Sequence, residues 1–130
     1  MAHATAHGDF SYTQILFSRD RHGLVDFDGV CRAEPALDLG HFLAYLRFAM
    51  VKAAGVEAPR FAPLEDELEA VFLDGYRSAG GLSGRAVEER IHVYETVSLL
   101  RLAVHAWQKM KPERLRRILA VLDGGRAVTT

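Results

Sequence analysis

The chain has 130 residues, a formal net charge of −1 and a hydrophobic content of 49%. This length and composition are typical of one globular domain with a real apolar core, and they exclude a disordered or fibrous chain. The nearly balanced charge gives no general attraction to nucleic acid or to acidic membranes, and no apolar run approaches the roughly 20 residues that a membrane-spanning helix needs. We therefore expect residues 1–130 to form a single domain without a nucleic-acid or membrane partner.

The compartment is predicted from the first residues and from the cysteine content. A signal peptide has a basic stretch followed by an apolar one, and the N-terminus lacks this pattern. The one cysteine, Cys31, excludes an intrachain disulfide, and a chain without disulfides suits a reducing compartment. We therefore expect a cytoplasmic protein.

A β-hairpin is predicted near the N-terminus. Two short runs with β-like composition, Gln14–Phe17 and Gly23–Phe27, flank the five polar residues of Ser18–His22. Apolar runs separated by a few polar residues are typical of two antiparallel strands joined by a loop. This loop is longer than that of a tight hairpin.

Helical spacing of apolar residues dominates the rest of the chain, so residues 1–37 hold the hairpin region and residues 38–130 a helical subdomain. Capping and stop signals predict four helices, over Asp38–Ala54 with Asp38 as N-cap, from Pro63 to Gly80, from about Ser83 to about Met110, and from Pro112 to Gly124. The second half of the third helix is apolar on nearly every side, which is typical of a helix in the centre of a domain, and Trp107 is therefore expected in the core. The sum is a mainly α (α+β) fold with a short N-terminal β-hairpin followed by about four helices.

Acidic and amide side chains are expected to meet at the open end of the hairpin. Asp9 and Gln14 lie before or at the start of the first strand, and Asp26 lies at the end of the second. Because these positions share one end of a hairpin, the three side chains are expected to converge. Phosphoryl transfer needs a carboxylate beside the attacking hydroxyl and oxygen ligands for magnesium. The order His7, Asp9 and, five positions later, Gln14 has the spacing of the kinase pattern H-x-D-x-x-x-x-N, so the sequence predicts a metal-phosphate cluster here.

Four stretches carry a resemblance to a known family. In chain order they are HGDF, QILF, LVDFD and EPALDLGHFLAYL, which together cover about Ala6–Leu46. This ordered set resembles the core of the aminoglycoside phosphotransferase and choline kinase-like family, whose fold is protein-kinase-like. The resemblance implies ATP-dependent transfer of a phosphoryl group to a hydroxyl of a small molecule, with Mg²⁺ and ATP as cofactors.

The resemblance also implies a role for each matching residue. Asp9 matches the catalytic base. Asp26 matches the main metal ligand, and Gln14 stands where the family usually has a metal-binding Asn. Auxiliary or structural roles fall to His7, Asp28 and Asp38.

The parts that handle nucleotide in such enzymes are not recognisable in this sequence. It contains no G-x-G-x-x-G loop, and Lys52 of AMVK lies late in a predicted helix rather than on a strand, so no nucleotide-binding residue is assigned. We therefore expect the C-terminal lobe of a kinase-like phosphotransferase, with the nucleotide-binding N-lobe absent.

Whether such a lobe is active as an isolated chain stays open at this point. An N-lobe partner would complete a split enzyme that acts on a small-molecule hydroxyl acceptor. The alternative is a non-catalytic helical interaction module or a truncated kinase lobe. Apolar residues left uncovered around Phe10 and Ile15–Phe17 then predict a homo-oligomer, because exposed apolar patches promote association.

Overall fold

The computed structural model describes residues 3–54, 62–81 and 84–123. Its strands are β1 (Ala4–Ala6), β2 (Ile15–Ser18), β3 (Arg21–Leu24) and β4 (Cys31–Ala33), and its helices are α1 (Pro35–Ala54), α2 (Ala62–Ser78), α3 (Arg85–Gln108) and α4 (Pro112–Leu122). Short 3-10 turns precede β2 and β4. The mainly α (α+β) class, with an N-terminal hairpin and four helices, is confirmed.

The N-terminal region forms two separate antiparallel pairs of strands. Strands β2 and β3 make the predicted hairpin, with a register from Ile15 opposite Leu24 to Ser18 opposite Arg21. The expected five-residue loop is wrong, because Ser18 belongs to strand β2 and Arg21 and His22 belong to strand β3. Both strands are largely exposed to solvent, so polar side chains cost little there. The pairing of β1 with β4 had no counterpart in the sequence prediction.

The helices largely match their predicted positions, with one informative shift. Helix α1 begins at Pro35, whose fixed φ suits the first helical position, so Asp38 lies in the first turn and is not the N-cap. A carboxylate there is still favoured by the helix dipole. The predicted boundaries at Ser83 and Gly124 lie outside the described residues. Among the residues that the structure describes, no helix is both long and apolar enough to cross a membrane.

The core lies between α1, α3 and α4. Helices α1 and α3 approach so closely at Gly40 that an added Cβ would lie 2.6 Å from the backbone of Ile91. The remaining core side chains fall into two clusters, formed mainly by Ala44, Phe48, Leu99, Leu102, Ala106 and Ile118, and by Ala36, Leu39, Leu43 and Ile91. The face of α3 that carries these contacts is therefore buried, as the sequence predicted.

The opposite face of α3 is exposed, which corrects part of the prediction. Five apolar side chains on this face, here called the α3 stripe, are each more than half exposed: Val93, Val97, Leu100, Val104 and Trp107. Trp107 is 69% exposed, so its expected place in the core is wrong. The helix is apolar on nearly every side because it has two apolar faces, one packed inside the domain and one facing solvent.

An ion-pair network holds α2 against the other helices. The guanidinium of Arg47 on α1 contacts Glu65 at 3.2 Å and Glu69 at 2.5 Å on α2, and Glu95 at 2.5 Å on α3. Burial alone would lower the pKa of Arg47, but the three carboxylates, Glu95 first, raise it. A charge with three partners in a partly buried site is strongly held.

A second polar cluster ties the N-terminal region to α3. The carboxylate of Glu34, just before α1, accepts hydrogen bonds from Arg90 at 2.5 Å and from the Tyr94 hydroxyl at 3.1 Å. Desolvation raises the pKa of Glu34, but these hydrogen bonds outweigh it and the net shift is downward.

Candidate functional site

The side chain of Asp38 holds the backbone of the loop that carries Asp9. The two carboxylate oxygens of Asp38 accept hydrogen bonds from the backbone N–H groups of His7 at 2.6 Å and of Gly8 at 2.9 Å. Hydrogen bonds to an ionised acceptor are stronger than neutral ones. The side chain expected to have a structural role therefore holds the backbone immediately before the candidate base.

The ring of His7 connects this loop to the end of the hairpin. It is buried, and its Nε2–H donates to the carbonyl of Val25 at 2.8 Å. Because a carbonyl only accepts, this bond assigns the proton to Nε2 and leaves Nδ1 to accept the backbone N–H of Asp9 at 3.4 Å. One side chain thus fixes the backbone of Asp9 relative to that of Val25, the residue before Asp26.

Gly8 and Gly29 bring the two acidic segments into direct backbone contact. Gly8 has φ +84°, and a Cβ built there would lie 2.1 Å from the carbonyl oxygen of Gly29. A Cβ on Gly29 would in turn lie 3.1 Å from the carbonyl oxygen of His7. Only glycine fits the first position, because it tolerates positive φ and has no side chain. The H-G-D loop and the D-F-D-G turn are therefore packed against each other.

Gln14 and Asp26 meet at the open end of the hairpin. The side-chain amide of Gln14 donates to Oδ2 of Asp26 at 3.2 Å, and the backbone N–H of Val25 donates to the Gln14 carbonyl at 3.0 Å. Asp26 has φ 64° and ψ 65°, a left-handed conformation that is uncommon outside glycine and concentrates at functional sites. Asp28 follows on the exposed 3-10 turn Phe27–Gly29.

Asp9 does not join Gln14 and Asp26, but contacts two side chains of the helices, one cationic and one ionisable. Its Oδ1 accepts a hydrogen bond from Arg101 Nη2 at 3.0 Å and lies 3.0 Å from Nε2 of His41. The His41 contact is close but poorly directed for a hydrogen bond, and Nε2 has no other partner among the described residues. No hydrogen bond or ion pair among these residues joins Asp9 to Gln14 or Asp26. The two predicted metal ligands therefore contact each other, whereas the side chain of the predicted base contacts Arg101 and His41.

The sequence interpretation did not identify His41 and Arg101 as part of this site. His41 is buried, its Nδ1 lies 3.1 Å from the Ser98 hydroxyl, and its ring lies 4.9 Å from that of Tyr45. Desolvation and the nearby Arg101 lower the pKa of His41, against a smaller opposing effect of Asp9. Burial, and then Asp9, raise the pKa of Tyr45. His41 is therefore neutral near pH 7 and is held in place from two sides.

The sequence of contacts Asp9–His41–Ser98 resembles the triad of a serine hydrolase only in residue type. Ser98 lies inside the domain and is 6% exposed, whereas a nucleophile must reach its substrate. Its hydroxyl serves to orient His41.

Magnesium suits the donor atoms at the hairpin end. Among the described residues no group of three or more His, Cys, Asp or Glu side chains is placed to hold a metal ion. Mg²⁺ usually takes only one or two carboxylates from a protein and completes its shell with water and phosphate oxygens. The Asp26 carboxylate and the Gln14 amide oxygen are hard donors of this kind, so this pair fits the protein's share of a magnesium site.

A cleft of about 760 Å³ lies behind the H-G-D loop. Its walls are mainly apolar, including Phe10, Phe27 and Phe72. Of its four polar residues, Thr5, His7, Asp38 and Tyr76, the charged Asp38 already binds the loop backbone and the His7 ring already binds the Val25 carbonyl. A binding pocket for a polar small molecule needs convergent polar groups. This cleft is therefore a poor candidate for the acceptor site.

Comparison with models of protein families, with curated proteins and with solved structures finds no match to this chain.

Proposed function

We propose that this chain is the C-terminal lobe of a small-molecule phosphotransferase that transfers a phosphoryl group from ATP to an alcohol group. The observation that carries the proposal is the backbone contact between Gly8 and Gly29, which fixes the Asp9 loop against the turn that begins at Asp26. A phosphotransferase needs a base and metal ligands held at constant separation. The resemblance of the same residues to a kinase-like family supports this reading.

Asp9 acts in this proposal as the base that orients the acceptor hydroxyl. Arg101 and His41 both contact Oδ1, and among the described residues no partner contacts Oδ2. The Asp9 side chain is 41% exposed, so an acceptor hydroxyl has access to Oδ2. The two supports restrict rotation of the carboxylate, which is the requirement for general-base catalysis by a positioned group.

Asp26 and Gln14 would hold magnesium, which supplies charge neutralisation on the phosphates of ATP. The left-handed backbone of Asp26 and the hydrogen bond from the Gln14 amide nitrogen to its carboxylate keep the two side chains side by side, and a flip of the amide would turn the Gln14 oxygen toward a metal that Asp26 binds. A nucleotide-binding lobe is required in addition to the residues described. The exposed apolar side chains of Leu16, Phe17 and Phe27 offer such a lobe a surface beside the metal ligands.

Calorimetric titration with Mg²⁺ tests the proposal. We expect binding that Asp26→Asn abolishes, and that Asp9→Asn leaves within about twofold, because a base positions the acceptor rather than the metal. Asp20→Asn, in the hairpin turn, is the matched control for loss of one exposed carboxylate. Binding that is equally weakened by Asp20→Asn and Asp26→Asn would contradict the proposed site.

A non-catalytic interaction module is the second candidate, and one observation favours it. Arg101 already forms an ion pair with the candidate base Asp9 at 3.0 Å. An acceptor hydroxyl would have to bind Asp9 while this ion pair stays in place. Absence of any heat with Mg²⁺, together with an intact fold, would support this candidate over the first.

A further inference from the structure

The α3 stripe has the geometry of a helix–helix interface. Its residues Val93, Val97, Leu100, Val104 and Trp107 recur at alternating spacings of four and three. That spacing keeps them on one narrow face, as in the contact seam of a coiled coil. With a rise of about 1.5 Å per residue the stripe is ~21 Å long.

The apolar area of the stripe is more than half of what each partner of a typical stable interface buries. Each of the five side chains is more than half exposed, which amounts to on the order of 500 Å² of apolar surface per copy, against ~800 Å² per partner for a typical stable interface. The side chains that border the stripe would contribute the remainder. Isolated exposed valines need no explanation, but a contiguous patch of this size marks an interaction site.

The symmetry of the stripe and the helix dipole favour a second copy in antiparallel orientation. If two α3 helices pair antiparallel with Leu100 at the centre, Val93 faces Trp107 of the second copy, so a small side chain meets a large one at each end of the stripe. In a parallel pair the two tryptophans would face each other and both helix dipoles would align unfavourably. Glu89, just before the stripe, is held by Arg85 of its own helix at 2.7 Å, so it does not decide the orientation.

We propose that the α3 stripe is the interface of a homodimer in which α3 pairs antiparallel with α3 of a second copy, about a two-fold axis near Leu100. A two-fold interface uses the same patch on both copies, which a stripe symmetric about its own midpoint satisfies. Arg101 lies beside the axis, and its charge is balanced by Asp9 of its own copy. This inference stands on the surface of α3 alone and does not depend on the proposed phosphotransfer.

Disulfide trapping tests both the dimer and its orientation. In a Cys31→Ser background, which removes the exposed native thiol, Leu100→Cys is expected to form a dimer with itself under mild oxidation. Val93→Cys is expected to stay monomeric alone and to form a mixed disulfide with Trp107→Cys. A disulfide needs Cα atoms within about 7 Å, so efficient self-linking of Val93→Cys would overturn the antiparallel arrangement.

Sedimentation and light scattering of the chain with its native residues test association itself. We expect a dimer at concentrations on the order of 100 µM, and at least a tenfold weaker dimer for Leu100→Glu, because the two introduced carboxylates would face each other across the axis in place of two apolar side chains. Arg116→Glu, an exposed site on α4, is the matched control and should leave the dimer unchanged. Circular dichroism verifies that both variants fold.

Fluorescence gives an independent readout, because Trp107 is the chain's one tryptophan. Its emission is expected to shift to shorter wavelength as concentration rises, and to stay at the solvent-exposed value in Leu100→Glu. A strict monomer with concentration-independent emission would overturn the proposal, as would a dimer that Leu100→Glu leaves intact.

Discussion

Replacing Gly8 by alanine is expected to separate the two acidic segments of the site. The new Cβ would lie 2.1 Å from the carbonyl oxygen of Gly29 and 2.8 Å from its carbonyl carbon, and both are backbone atoms that no side-chain rotation can move aside. The positive φ costs about 1–2 kcal/mol for an L residue, and overpacking of this kind costs a further ~1–3 kcal/mol. We therefore expect Gly8→Ala to lower the free energy of unfolding by about 2–5 kcal/mol, measured by urea denaturation.

Gly80→Ala is the control that isolates the loop contact. Gly80 has the same φ of +84°, but a Cβ there meets no atom within 4 Å. It should therefore show only the backbone cost of about 1–2 kcal/mol. Amide chemical shifts of Asp9 and Asp26 should change in Gly8→Ala and not in Gly80→Ala. Equal destabilisation by the two substitutions would refute the close contact between the two loops.

Three further changes test the supports around the site. Arg47→Met should cost about 3 kcal/mol in urea denaturation, because it leaves the nearly buried Glu95 without its cation, and a loss below that of exposed Arg77→Ala would contradict this. Asp38→Asn should lower the free energy of unfolding by about 1–3 kcal/mol and speed amide hydrogen exchange in the loop that Asp38 binds. Unchanged exchange there would show that the Asp38 carboxylate does not hold this loop. His41 should titrate by NMR below its ordinary value of 6.5; since the unfolded state then takes up the proton first, stability should fall as pH drops below 6.5, and His41→Gln should flatten this dependence.

The helices were predictable because local patterns determine them. Apolar spacing and the prolines Pro63 and Pro112 predicted the starts of α2 and α4 to within a few residues of their positions in the structure. The sequence did not predict the pairing of β1 with β4, since three-residue strands such as Ala4–Ala6 carry almost no alternation. The turn of the hairpin was misplaced for a related reason, because Arg21 and His22 are polar residues in an exposed strand, where composition does not distinguish strand from loop.

The parts of the site that depend on local spacing were predictable, and those that depend on tertiary contact were not. The contact of Gln14 with Asp26 follows from the two ends of one hairpin. Arg101 contacts Asp9 across 92 residues of sequence, and no local pattern marks such a partner. His41 did offer a signal, since a histidine within the apolar stretch LGHFL is a polar group that needs a buried partner.

The exposed α3 stripe was misread because a single chain does not distinguish two kinds of apolar surface. A helix that is apolar all round is either central to its domain or shared with another surface. The alternating spacing from Val93 to Trp107 was the available signal for the second case.

Paramagnetic line broadening by Mn²⁺, a substitute for Mg²⁺, tests the central claim most directly. We expect the side-chain amide of Gln14 and the backbone amide of Asp26 to broaden first as Mn²⁺ is added, and this selectivity to disappear in Asp26→Asn while it persists in Asp20→Asn. That result would locate a metal site at the open end of the hairpin, beside the Asp9 loop. Broadening that is uniform over the exposed carboxylates, or that survives Asp26→Asn, would contradict the account of this lobe as the metal-binding half of a phosphotransferase.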